Sequence, residues 1–185
     1  MGLLSLSRIS RAPTPSRRST SRARVFASAV VIASLIGANG GLTALDLSNN
    51  NLKDEGVSAV CKAIQSNKET KLASLNFGNN GISPVGANAV AAMVAVTGSL
   101  TSIDLSGNKL CGVWTDDDYW GQQGNYTAEG ITAIADALRV NGSLTSLDLS
   151  NNALCGRTIY GIYSAEGISA IADALRVNGA LTKIE

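Results

Sequence analysis

"LTALDLSNNNL", residues 42–52, decides the fold of this chain. Leu42, Leu45, Leu47, Asn50 and Leu52 spell out L-x-x-L-x-L-x-x-N-x-L. The same spelling returns at Leu72, Leu75, Phe77, Asn80 and Ile82. It returns at Leu100, Ile103, Leu105, Asn108 and Leu110, and again at Leu144, Leu147, Leu149, Asn152 and Leu154. A fifth copy begins at Leu181 and Ile184. Self-similarity of this kind marks an array of stacked units rather than a single bulky core. The composition agrees, with 19 glycines and aromatics at only 4% of residues.

Each copy leads into a second phrase, clearest in "GITAIADALRVNG" (130–142) and "GISAIADALRVNG" (167–179). Here the apolar period changes from two to about 3.6, the change from strand to helix. Ile131, Ile134 and Leu138 share one helical face, as do Ile168, Ile171 and Leu175. Val57, Val60 and Ile64, then Ala87, Val90 and Val94, repeat that face upstream. Ser83 can cap a helix with Pro84 at its first position, and Thr127 and Ser164 occupy the matching cap site. The Asn-Gly pairs at 141–142 and 178–179 suit a left-handed helix end.

One strand and one helix cannot bury their apolar sides alone, so neighbouring units must stack. The expected fold is α/β: a curved solenoid with a parallel sheet inside and helices outside. Asn50, Asn80, Asn108 and Asn152 then form a structural ladder, their amides satisfying backbone groups where the chain turns out of each strand. These motifs resemble the leucine-rich repeat family, and the helix-bearing period resembles its ribonuclease-inhibitor-like subclass, the repeat type of NOD-like receptors. The resemblance covers roughly residues 28–185 and implies protein binding. Members of the family include ribonuclease inhibitors, receptor sensor regions and activators of the GTPase Ran.

The motif starts at 42, 72, 100, 144 and 181 are spaced by 30, 28, 44 and 37 residues. Counting from the last Leu of each motif to the helix Gly places the two large excesses between strand and helix. The insertions therefore span 111–126 and 155–163, in adjacent units, and should be neighbours in space. Every Trp and Tyr of the protein lies in them: Trp114, Tyr119, Trp120 and Tyr126 in the first, Tyr160 and Tyr163 in the second. Two readings stay open. The aromatics form a private core of the loops, or all six form a partner-binding surface. The concave sheet face has only small polar side chains and an interrupted acidic line at Asp46, Asp104 and Asp148, which favours the loops.

The remaining signals are mostly exclusions. Residues 1–24 hold six arginines and no acid, leaving nine basic against 14 acidic groups in the rest of the chain. The body is therefore no nucleic-acid binder on electrostatic grounds. Residues 1–27 read as a basic Ser/Arg-rich segment, either disordered or targeting. "VFASAVVIASLIGA" (25–38) could be the apolar region of a secretory signal, but Ala29, Ile32 and Ile36 keep the register of Ile131, Ile134 and Leu138, so it reads as the first helix of the array. No apolar run is long enough to span a bilayer. An intracellular location, cytoplasmic or organellar, is favoured over secretion.

There is no His, no paired nucleophile and base, and no phosphate-binding Gly-Lys motif, so the chain is not expected to be an enzyme and no metal or cofactor is expected. Asp116, Asp117 and Asp118 lack the Gly and distal Glu of a calcium loop. Asn125 and Asn141 head glycosylation sequons, relevant only on secretion. Cys111 and Cys155 occupy equivalent places in adjacent units and are either a disulfide or two free thiols. The function expected is a non-enzymatic protein-interaction scaffold. The alternatives are a small-GTPase regulator, for which Arg157 is the one arginine on the strand-to-helix loops, and a sensor or structural fragment of a longer array. Self-association through uncapped ends also stays open.

Overall fold

The computed structural model describes residues 2–5, 31, 32, 34, 36, 41–116, 119–158 and 160–185; the side chains of 2–5, 115, 116 and 119–122 lie outside that description. The strands are β1 (Gly2–Ser5), β2 (Leu42–Asp46), β3 (Ser74–Asn76), β4 (Ser102–Asp104), β5 (Val113–Asp116), β6 (Tyr119–Gly124), β7 (Ser146–Asp148), β8 (Gly156–Arg157), β9 (Tyr163–Ser164) and β10 (Lys183–Ile184). The helices are α1 (Lys53–Ser66), α2 (Pro84–Val94), α3 (Glu129–Val140) and α4 (Glu166–Leu175). One parallel sheet runs β1-β2-β3-β4-β7-β10, and each helix packs on the next along its outer side. This is the α/β solenoid with a parallel inner sheet and outer helices.

Register shows why the motif needs its aliphatic positions. Leu45, Leu75, Ile103, Leu147 and Ile184 pair in one row across the sheet. The first four are buried and Ile184 is 39% exposed. Burial of each row member thus comes from units on both sides, and fully burying one such side chain is worth roughly 1.5–3 kcal/mol. The helix column behaves the same way. Ile131 is buried because the next unit covers it, with Gly167 at its Cγ2. Ile168, placed by its register on the buried face, is 50% exposed because no following unit covers it in this structure.

The helix entries are tightly seated. A Cβ on Gly86 would lie 2.5 Å from Asp54 Oδ1, one on Gly130 2.5 Å from the Leu110 carbonyl, and one on Gly167 2.6 Å from the Leu154 carbonyl. A side chain at any of the three would collide, so glycine lets each helix start sit this close to the preceding unit. Ser83 Oγ accepts from Val85 N–H with Pro84 at the start of α2, the cap read from the sequence. Thr127 and Ser164 hydroxyls accept from Glu129 and Glu166 N–H at the starts of α3 and α4.

The N-terminal region departs from expectation at one point. Gly2–Ser5 lie in the segment read as disordered or targeting, yet they form β1, parallel to β2. The outer edge of β2 carries unpaired N–H and C=O groups, and a short apolar strand satisfies them. The rest of the 1–27 segment lies outside the described residues. Positions 31, 32, 34 and 36 are helical, and Ile32 and Ile36 join the core. Among the described residues no helix is long and apolar enough to cross a membrane.

Candidate functional site

Two asparagine ladders hold the units together and leave the insertions as the variable part. Asn80 Nδ2 donates to the carbonyls of Leu47, Phe77 and Gly78, and its Oδ1 accepts from Asn50 and Leu52 N–H. Asn108 repeats this toward Phe77, Leu105, Ser106, Asn80 and Ile82. Asn152 binds the Leu105, Leu149 and Ser150 carbonyls and accepts from Leu110 N–H, while Asn50 binds within its own turn.

The second ladder is absent from the sequence reading. Asn141 has φ −85°, not a left-handed value; its side chain caps instead. Nδ2 donates to the Val94 and Thr97 carbonyls, and Oδ1 accepts from Ser143 and Leu144 N–H. Asn67 and Asn178 do the same work in their units. The Asn-Gly pairs were therefore meaningful, but for their amide rather than their backbone.

The concave face is occupied with its own backbone. Asp46, Asn76, Asp104 and Asp148 Oδ1 each accept from the N–H two residues on, at Ser48, Gly78, Ser106 and Ser150. Thr101, Thr145 and Thr182 hydroxyls donate to carbonyls of the preceding unit. These groups shape the turns and strand spacing, and no large apolar side chain projects from the described part of this face.

The first insertion is a hairpin, β5 against β6, with Val113 opposite Gly124 and Trp114 opposite Gln123. At its neck a Cβ on Gly112 (φ +74°) would come within 2.6 Å of the Asn125 carbonyl, so the two limbs pinch together. Val113 is buried. Trp114 is half-buried: its ring lies against Gly124, and Lys109 Nζ sits 3.7 Å from the ring centroid. Such a cation–π contact is worth about 0.5–2 kcal/mol.

Tyr126, expected among the contact residues, is buried and faces inward. Its hydroxyl donates to the Leu154 carbonyl and accepts from Gly167 N–H, each at 3.0 Å. The upstream counterpart explains the arrangement. Asp54 Oδ1 accepts from Gly86 N–H and Ser83 N–H, satisfying donors that helix geometry leaves orphaned at the start of α2. Ala128, at the start of α3, stands at the position equivalent to Asp54 and offers α4 no acceptor, and Tyr126 supplies it. Burial raises the Tyr126 pKa, partly opposed by the Gly167 hydrogen bond. The side chains of Tyr119 and Trp120, and Asp117 and Asp118 entirely, lie outside the described residues.

The second insertion is the smaller hairpin β8–β9, pairing Gly156 with Ser164 and Arg157 with Tyr163. Thr158 N–H donates to the Ile162 carbonyl, Gly161 N–H to the Thr158 carbonyl, and Arg157 Nη1 to the Gly161 carbonyl. Its tip exposes Tyr160 (80%), Ile162 (65%) and Tyr163 (62%). The Tyr163 pKa is raised by its hydrogen bond with the Cys155 thiol and by that thiol's charge. The two insertions are neighbours at their bases, as the spacing implied, with Tyr126 as the bridge.

Family models described as Leucine Rich Repeat match residues 42–61, 68–91, 99–117 and 143–164, the four full motif copies. The chain is a leucine-rich repeat protein. Over 72 residues, 39% of this chain, the repeats are 33% identical to the NACHT, LRR and PYD domains-containing protein 5 of Bos taurus, of whose length the match spans 6%. The strand-plus-helix unit is consistent with the ribonuclease-inhibitor-like subclass. Among solved structures, the leiomodin-1 actin-binding site 2 superposes with TM-score 0.58 at 22% identity, over 92% of this chain and 79% of that one. The C-terminal domain of a Caenorhabditis elegans tropomodulin gives TM-score 0.60 at 13% identity, over 86% and 80%. At these identities the likeness is one of fold.

Proposed function

We propose that this leucine-rich repeat chain is a non-enzymatic, intracellular protein-binding scaffold whose principal contact is the β8–β9 hairpin. The observation that carries this reading is the exposure of Tyr160, Ile162 and Tyr163 within four residues on a turn braced by three internal hydrogen bonds. Aromatic side chains presented by a rigid backbone lose little entropy on docking and recur as interface anchors. Trp114 joins as a secondary contact at the adjacent hairpin, and Tyr126 leaves the contact set for a structural role. The partner is a protein offering an apolar pocket for the tyrosine rings.

The small-GTPase alternative leaned on Arg157, and its guanidinium is engaged in bracing its own hairpin. The test is affinity capture by the purified chain against Tyr160→Ser/Tyr163→Ser and Arg157→Ala, with monomeric actin as the first candidate because the leiomodin neighbour is named for actin binding. The double substitution should lower partner binding at least tenfold, with Arg157→Ala closer to wild type. Unchanged binding in the double variant overturns the assignment.

A further inference from the structure

The two insertions share a pair of thiols at their bases. Cys111 and Cys155 each follow the last Leu of their motif, and each lies seven residues beyond its strand's paired Asp, Asp104 or Asp148. Because β4 and β7 pair in register, equal offsets place the two cysteines at the same point of adjacent coils. The inter-unit ladder continues out to this point: Lys53 N–H reaches the Asn80 carbonyl, Lys109 N–H reaches the Ile82 carbonyl, and Leu110 N–H reaches Asn152 Oδ1. Paired strands lie roughly 4.7–4.9 Å apart, inside the roughly 4.4–6.8 Å Cα separation that a disulfide requires. The upstream coils carry Lys53 and Ser83 at this place, so the pair is confined to the two units that bear insertions.

The environment sets the order of reaction. Cys155 is half-buried, within reach of a small reagent, and its thiol is hydrogen-bonded with the Tyr163 hydroxyl. Cys111 is buried, and burial, with the Cys155 charge beside it, pushes its thiol up to about 12. It is therefore protected from reagents in solution but adjacent to Cys155.

We propose that Cys111 and Cys155 form a redox-responsive pair that closes to an intramolecular disulfide on meeting a low-molecular-weight disulfide, bracing the bases of both insertions. In the first step the Cys155 sulfur, having lost its proton, attacks the reagent's disulfide. A mixed disulfide forms and one reagent thiolate leaves. In the second, the Cys111 sulfur gives up its proton and attacks the Cys155 sulfur, and the second reagent thiolate leaves. The protein is oxidised by two electrons, and one reagent disulfide becomes two thiols. Closure takes Cys155 from Tyr163 and so couples the bridge to the exposed hairpin.

The experiment incubates the native full chain with oxidised glutathione, then counts free thiols and maps linked peptides by mass spectrometry. Two of the three thiols should disappear, with a 111–155 cross-link in the monomer and Cys61 still free. Cys61→Ser should leave that bridge intact. Cys155→Ser should leave both remaining thiols unreacted, and Cys111→Ser should stop at the glutathione adduct on Cys155. A stable adduct on wild-type Cys155, a bridge to Cys61 or to a second chain, or no thiol loss each overturns the proposal. Failure of the hairpin as a contact site leaves this chemistry standing, because no partner enters the assay.

Discussion

Tyr126→Phe separates a structural role for the first insertion from a contact role. The substitution removes one oxygen and leaves the ring in place. That oxygen accepts from Gly167 N–H and donates to the Leu154 carbonyl. Gly167 is buried, and its N–H belongs to the first turn of α4, where the helix supplies no partner. Leaving a buried backbone donor unpaired costs about 1–3 kcal/mol. Leu154 is only half-buried, so water can take up its carbonyl, and that bond adds little. The expected destabilisation is therefore about 2 kcal/mol, concentrated in the last full unit. Native-state hydrogen exchange reads it directly: amides of α4 should open roughly thirtyfold more often, while those of α2, held by Asp54, change little. Urea melting should show the same loss, and Tyr126→Ala should cost about 3–5 kcal/mol by adding a cavity. A Tyr126→Phe variant within about 0.5 kcal/mol of wild type, the scale of an ordinary surface substitution, with unchanged exchange in α4, would refute the bridging role.

Other expectations follow from the same contacts. Asn80→Ala strips five hydrogen bonds from the backbone of two adjacent units and should cost at least about 3 kcal/mol in urea unfolding. Burial holds Cys61 and Cys111 up to about 12, so both stay protonated at pH 8. Iodoacetamide should then modify Cys155 alone in the native protein and all three cysteines in denaturant, by peptide mass. If the chain is expressed through a secretory pathway, Asn125 should carry glycan and Asn141 none, because the Asn141 amide is buried against Val94 and Thr97; site mapping by mass decides it.

The repeat was fully legible in the sequence because its cause is local and periodic. Alternating Leu and Ile, the Asn at each turn and the helical stripe recur at matched offsets, and stacking is the one way such units bury them. The insertions were legible as interruptions of that period, down to their shared position in adjacent units. The roles of the aromatics within them were not, since composition marks Trp and Tyr as large and amphipathic without saying which way they face. Only the tertiary structure turned Tyr126 inward, because Ala128 left Gly167 without an acceptor and the tyrosine oxygen lies within reach. The same holds for Asn141, where the neighbouring coil's carbonyls claim an amide that sequence alone assigned to backbone geometry. The strand at Gly2–Ser5 is the sharpest case: four residues in a basic, Ser-rich segment carry no period of their own. Their structure comes from an unpaired sheet edge about forty positions away in the chain.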